Sequence, residues 1–159
     1  MADAYNLHRF LDAQEPVYDT VFAELRAGRK ASHWIWFIFP QIAGLGHSAM
    51  AQQYAIGSLD EAKAYLQHPI LGPRLRACTQ LVLDVKGRRI EEIFPYPDDL
   101  KFRSCMTLFL TAATDNQLFN YVLLKYFDGK SDQLTIDILA QESCECRYRW
   151  RGSDKVWHQ

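Results

Sequence analysis

His33-Trp-Ile-Trp-Phe-Ile-Phe-Pro-Gln-Ile-Ala-Gly-Leu-Gly-His-Ser48 decides the fold of this chain. Trp34 to Phe39 is an unbroken apolar run holding two indoles and two phenyl rings, and at the surface it would form a large hydrophobic patch, so it must be buried. Its aromatic and β-branched content would suit a strand. No other segment offers a convincing strand partner, however, and a lone strand leaves its backbone donors and acceptors unpaired. The run is therefore expected to be a short buried helix closed by Pro40. Its flanks are polar, with Lys30, Ser32 and His33 on one side and Gln41, His47 and Ser48 on the other. A buried element with hydrogen-bonding groups at each mouth is how a small-molecule pocket looks in sequence, and also how a core with solvated ends looks.

Outward from this run the punctuation is helical. Residues 16–27 begin with a proline, tolerated in a first turn, and stop at Gly28; Val17, Val21 and Leu25 form their apolar stripe, widened by Tyr18 and Phe22. A shorter amphipathic piece covers residues 7–13. Downstream, Ser48 caps a helix expected over residues 48–56 and stopped at Gly57. Ser58-Leu-Asp-Glu61 is a capping box, and the helix it opens ends at His68, because Pro69 disfavours helical geometry in the residue before it. Gly72-Pro73 restarts the chain, and Leu75, Cys78, Thr79, Val82 and Val85 give a helical stripe ending at Gly87. Residues 89–94 make a brief helix or turn, and Pro95-Tyr-Pro97 forces a loop. Asp98 or Asp99 caps a helix to about Ala113, Asp115 caps the next as far as Gly129, and Ser131 or Asp132 caps the last, through Leu139. The expected architecture is all-α: a single compact multihelical domain of about eight short helices over residues 1–140. Residues 141–159 form a C-terminal tail of different character, in which Arg147-Tyr-Arg-Trp-Arg151 has no helical period.

A chain of 159 residues with net charge −1 has no broad electrostatic attraction for nucleic acid or anionic membrane, so a nucleic-acid partner is not expected. No apolar run approaches the roughly 20 residues of a membrane span. The start, Met1-Ala-Asp-Ala-Tyr-Asn, has neither the basic region nor the apolar core of a secretory signal. The expectation is a soluble cytoplasmic protein in which Cys78, Cys105, Cys144 and Cys146 stay reduced.

Several motifs match a pattern. Ser32-His-Trp-Ile-Trp-Phe-Ile-Phe-Pro-Gln41, Gly44-Leu-Gly46 with Ser48, and residues 51–56 are three of its parts; His68-Pro-Ile-Leu-Gly-Pro-Arg-Leu75 and Asp99-Leu-Lys-Phe-Arg-Ser-Cys-Met-Thr-Leu-Phe109 complete it. Together they resemble the uncharacterised, mostly bacterial family labelled domain of unknown function 1810, over roughly residues 5–140. The resemblance implies a compact multihelical fold and no assigned reaction, so no catalytic residue carries over. Where the family leads one to expect Ile-Phe-Gly, this chain has Ile93-Phe94-Pro95, which alters the following turn; the tail beyond Leu139 lies outside the pattern.

Three expected helix starts carry chemistry suited to an anion. Gly44-Leu-Gly46-His-Ser48 would let backbone approach a ligand and ends in a hydroxyl cap; Gly72-Pro-Arg74 places a guanidinium in a first turn; Lys101, Arg103 and Ser104 follow Asp99 in another. Cations there oppose the helix macrodipole at a cost of a few tenths of a kcal/mol each. A phosphate or carboxylate would relieve this cost, and so would pairing with Asp98, Asp99 and Glu92 or extension into solvent. The Gly-x-Gly is neither a dinucleotide fingerprint nor a phosphate loop. Trp34 and Trp36 could stack on a base, although side chains two apart on a helix diverge, so at most one faces a ligand. The candidate ligand-binding set is Lys30, His33, Trp34, Trp36, Gln41, Gly44, Gly46, Ser48, Arg74, Lys101, Arg103 and Ser104. Candidate acid–base groups are His33, Asp98 and Asp99. Cys105 has the surroundings of a packing residue more than a nucleophile, and Cys144-Glu-Cys146 with His158 lacks the usual structural zinc spacing, so neither a metal nor a cofactor is expected.

Two functional classes follow. One is a small-molecule enzyme or binder recognising a phosphate-bearing ligand, such as a nucleotide or an ADP-ribose-like compound, at a pocket lined by helix N-termini. The other is a non-catalytic module that contacts protein or nucleic acid. Geometry separates them, since the first requires the basic helix starts and a tryptophan to converge. The sequence leaves oligomeric state open.

Overall fold

The computed structural model describes residues 3–142. Within them lie α1 (His8–Gln14), α2 (Tyr18–Ala27), α3 (Ile35–Ile38), α4 (Ala49–Gln53), α5 (Leu59–Gln67), α6 (Leu71–Asp84), α7 (Ile90–Ile93), α8 (Asp98–Ala112) and α9 (Gln117–Phe127). A further helical segment, α10, covers residues 133–142. The protein is all-α, and among the described residues the only β pairing is an isolated parallel bridge between Ile42 and Ile56. No described helix is long and apolar enough to cross a membrane.

The aromatic run folds as its lack of a strand partner requires. Trp34 and Ile35 carbonyls accept from the Ile38 and Phe39 N–H groups at 3.2 and 3.0 Å, and Pro40, with no N–H to give, closes the turn. Ile35, Phe37, Ile38 and Phe39 are all buried. The long helix α8 receives them and packs against α3, α5, α7 and α9. At the centre Phe102 of α8 meets Phe39 and Phe94 with ring centroids 4.9 and 4.7 Å apart, and Trp34 meets Phe94 edge-on at 6.2 Å. Each such ring removed from water contributes roughly 1.5–3 kcal/mol, so a four-residue helix far too short to persist alone is held by packing.

Several boundaries differ from expectation, each for a local reason. α4 stops at Gln53, because Ile56 leaves the helix to pair with the chain just beyond Pro40: its N–H donates to the Gln41 carbonyl and its carbonyl accepts from Ala43, both at 2.8 Å. The Ser58 hydroxyl accepts from the Glu61 N–H at 3.1 Å as a capping box requires, but the Glu61 carboxylate reaches past Ser58 to the Gly57 N–H at 2.9 Å. α6 begins at Leu71, ahead of Gly72-Pro73. His68 Nδ1 accepts from the Ile70 and Leu71 N–H groups, so this imidazole caps the start of α6. α8 opens at Asp98 itself, with both aspartates inside its first turn and Pro97 at the cap. Asp115 caps nothing among the described residues; the α9 cap position is Asn116, whose side-chain amide donates back to the Leu110 carbonyl at 3.0 Å instead of capping α9. Asp132 does cap, accepting from the Thr135 N–H at 3.0 Å. The tail beyond residue 142, with its cysteine pair and arginine-aromatic alternation, lies outside the described residues.

Candidate functional site

Four of the expected ligand residues line one cleft. Trp36 from α3, Gln41, Gly44 and Gly46 from the following loop, and Ala51 and Tyr54 from the α4 region enclose about 10 Å³, room for one water-sized group. Gly44 has φ +105°, open to glycine and costly for other residues, and the Ile138 side chain of α10 sits 3.4 Å from where a Cβ would be. Gly46 lies so close to α4 that a Cβ would stand 2.7 Å from the Ala51 methyl. The second glycine thus serves helix packing, not backbone approach to a ligand. Ser48 spends its hydroxyl accepting from the Ala51 N–H as the α4 cap.

Beside this cleft an ion-pair ladder joins the two indoles. The Lys30 ammonium lies 5.3 Å from the Trp34 ring centroid and 2.8 Å from Asp98 Oδ2; Asp98 Oδ1 is 3.4 Å from the Lys101 ammonium, which lies 5.1 Å from the Trp36 centroid. The rungs are unequal. Lys30 is buried and close, its backbone N–H further fixed to the Ile93 carbonyl at 2.8 Å, whereas Lys101 is a quarter exposed and held more loosely. Asp98 is therefore the hub of two cations and not a free base. Trp34 is core: its Nε1–H donates to Glu24 at 2.9 Å, while Trp36 is half-buried.

Glu24 escaped the sequence reading. Its carboxylate accepts from the Ala31 and Ser32 N–H groups, the Ser32 hydroxyl and the Trp34 indole, tying the end of α2 to the start of α3. Burial acts to raise its carboxyl, but the bonds from Ser32, Ala31 and Trp34 outweigh it and hold the group below the ordinary range. Arg9 was missed too; it bonds the Gln53 and Ala55 carbonyls and pairs with Glu61 at 2.8 Å, fastening α1 to the α4–α5 connection. Arg9 has no motif around it, since partners 44 to 52 residues away leave no local signature, and Glu24 meets partners 7 to 10 residues ahead only because the chain turns back after α2.

Arg74, Arg103 and Ser104 do not join this site. Arg74 bonds Gln14 and Glu15 and lies 4.5 Å over the Tyr18 ring, so its cost at a helix start is met by α1 and α2. Arg103 donates to the Lys130 and Ser131 carbonyls beyond α9, and Ser104 is buried with its hydroxyl on the Leu100 carbonyl. The two basic helix starts therefore serve different joints of the fold, and of their cations only Lys101 stands beside Trp36. His33 is exposed and has no side-chain hydrogen bond among the described residues. Cys105 is fully buried and burial pushes its thiol well up, so it packs; Cys78 is likewise pushed up to about 11 by burial.

Asp99 is different. It is 7% exposed, and its Oδ1 has no hydrogen-bond partner. Burial raises its carboxyl above the ordinary range, with the charges of Glu91 and Asp98 adding to the push and nearby backbone N–H groups opposing it. With the native value raised, the folded state holds more protons than the unfolded one between the two values, so stability falls as pH rises through that window and the penalty persists above it. Asp99→Asn is accordingly expected to raise the melting temperature at pH 7 by roughly 2–4 °C, the effect of about 1 kcal/mol in a protein of this size, and to lose that gain near pH 3. Thermal denaturation of both proteins across that pH range checks it, and a variant less stable at pH 7 would mean the carboxylate is satisfied.

An all-helical protein with a two-indole ion-pair ladder beside a glycine-lined cleft is the class these features define. The chain belongs to the family of proteins of unknown function DUF1810, whose model matches residues 4–139. It is similar to the conserved hypothetical protein Rv1873 from Mycobacterium tuberculosis, known from a crystal structure at 1.38 Å, with 57% identity and a TM-score of 0.86 over 87% of this chain and 99% of that one. None of the curated proteins matches.

Proposed function

We propose that the protein recognises a phosphate-bearing small molecule, a nucleotide or ADP-ribose-like compound, on the outer side of the Trp36–Lys101 pair. One observation carries this: Lys101 is the loosely held, partly exposed cation of the ladder, and it stands over a half-buried indole. An anion approaching Lys101 would share an ammonium that Asp98 holds at 3.4 Å, while a base or other flat ring lies on Trp36. Arg74 and Arg103 take no part, their guanidiniums being bonded to other parts of the fold. The cleft itself admits only a ligand's edge, such as one hydroxyl or phosphate oxygen. A cytoplasmic setting goes with this function and suits the free buried thiols of Cys78 and Cys105. The alternative, a non-catalytic interaction module, draws support from the exposed Tyr121 and Leu124 on α9.

A thermal-shift series with AMP, ADP and ADP-ribose tests the ligand. At a hundredfold excess over Kd a bound ligand adds about 2.7 kcal/mol, several degrees in melting temperature. The shift should vanish in Lys101→Ala, whose own stability changes by less than about 1 kcal/mol because the pair it breaks is partly solvated. No shift with any of the three compounds would remove this function.

A further inference from the structure

We propose a second ligand site, for a small organic anion with a short apolar body, between the last turns of α5 and α8 and the outer face of α6. The cleft there measures about 470 Å³, within the range of small-molecule sites, where the cleft beside Trp36 holds about 10 Å³. Lys63 of α5 and Arg76 of α6 line it together with the hydroxyl residues Thr111 and Thr114, and Leu66 and Ala112 supply apolar wall.

Arg9, Lys30, Arg74, Arg89 and Lys101 are ion-paired, and Arg103 and Lys125 are bonded to carbonyls. Lys63 and Arg76 have neither an ion pair nor a hydrogen bond among the described residues, and both face the same void. Arg26, Arg29, Lys86, Arg88 and Lys130 also lack side-chain partners among the described residues, but Lys63 and Arg76 are two such cations brought to one cleft. Arg76 is also held in place: its guanidinium lies 5.3 Å from the centroid of the buried Phe119 ring. A planar guanidinium fixed at a wall, with an ammonium opposite, suits a carboxylate or phosphate, the guanidinium offering two parallel donors and the ammonium a point charge. The Thr111 hydroxyl already donates to the Thr107 carbonyl at 3.0 Å and can only accept, which leaves Thr114 as the hydroxyl donor. The carbonyl ends of α5 and α8 would attract a cation through the macrodipole, worth roughly 0.3–1 kcal/mol. That attraction accounts for cations nearby, but not for an open volume of this size between them.

The test uses phenyl phosphate and benzoate as probes, titrated into the full-length protein and followed by amide nuclear magnetic resonance. Saturable shifts at Leu66 and at residues 112–114 are expected, and the tighter-bound probe identifies the head group. Arg76→Gln should weaken that binding at least about tenfold and Lys63→Gln by a smaller factor, while Lys101→Ala leaves it unchanged, so its outcome is separate from that of the nucleotide screen. Lys63 is exposed, so its variant reports on the site even if the Arg76 variant is destabilised. The site is refuted if neither probe gives saturable shifts up to about 10 mM, or if both variants bind as well as the parent.

Discussion

Gly72→Ala is expected to lower the melting temperature by about 6–12 °C, the consequence of roughly 3 kcal/mol in a domain of this size. Intrinsic helix propensity argues for the opposite sign, since alanine inside a helix is favoured over glycine by about 1 kcal/mol. Close packing decides the matter. Gly72 is buried in the first turn of α6, and a Cβ placed there would overlap the Leu66 carbonyl oxygen and stand 2.9 Å from the carbonyl carbon. These are backbone atoms of α5, which cannot rotate aside as the end of a side chain can, so α5 and α6 must separate. Separation pulls on the Gly72 N–H bond to the His68 carbonyl and on the two N–H groups that His68 Nδ1 accepts. Thermal or denaturant unfolding gives the sign directly. A neutral or stabilising substitution would show that the helices have slack at this crossing, which the geometry denies.

The same glycine shows what a sequence does and does not disclose. Gly72-Pro73 was legible as a restart, because proline and glycine act through the local backbone. That α5 runs against this glycine was not, since Leu66 becomes its neighbour only once the chain has turned back. Caps set by a residue's own side chain and the next turn were readable, as at Ser48, Ser58 and Asp132. Asp115 failed because a capping residue type is common in loops that cap nothing. At the site, the indoles and the polar mouth were visible as composition. The arrangement that matters, Lys30 and Lys101 sharing Asp98, joins residues some 70 apart and follows from how α8 meets α3. Arg74 and Arg103 carried the right chemistry at the expected helix starts, yet what they face is set by α1, α2 and the segment after α9. A basic first turn in sequence thus reports a charge in need of a partner, and only the fold says whether that partner is a ligand or the protein.

Trp34→Ala is expected to destabilise the protein by about 3–5 kcal/mol, a fall of about 10 °C or more in melting temperature, where Trp36→Ala costs about 1 kcal/mol. The two indoles are two residues apart, so the helix turns them in different directions. Trp34 is 1% exposed and packs against Phe39 and Phe94; its loss also strips Glu24 of an indole donor and Lys30 of the ring beneath its ammonium. Buried Lys30 would then depend on Asp98 alone, so the damage should spread to the inner rung of the ladder. Trp34→Phe separates the contributions: it keeps much of the packing and removes the bond to Glu24, which retains the Ser32 and Ala31 donors, so its cost should be nearer 1–2 kcal/mol. Trp36 touches solvent, and its ring serves Lys101 and the glycine-lined cleft. If the phosphate ligand lies on that ring, Trp36→Ala must abolish the ligand-induced shift while leaving the unliganded protein nearly as stable as before, and no substitution at Trp34 can give that combination. Should the two alanine variants lose similar stability, Trp36 would be core like its neighbour, and the outer side of the ladder would have no face left for a ligand.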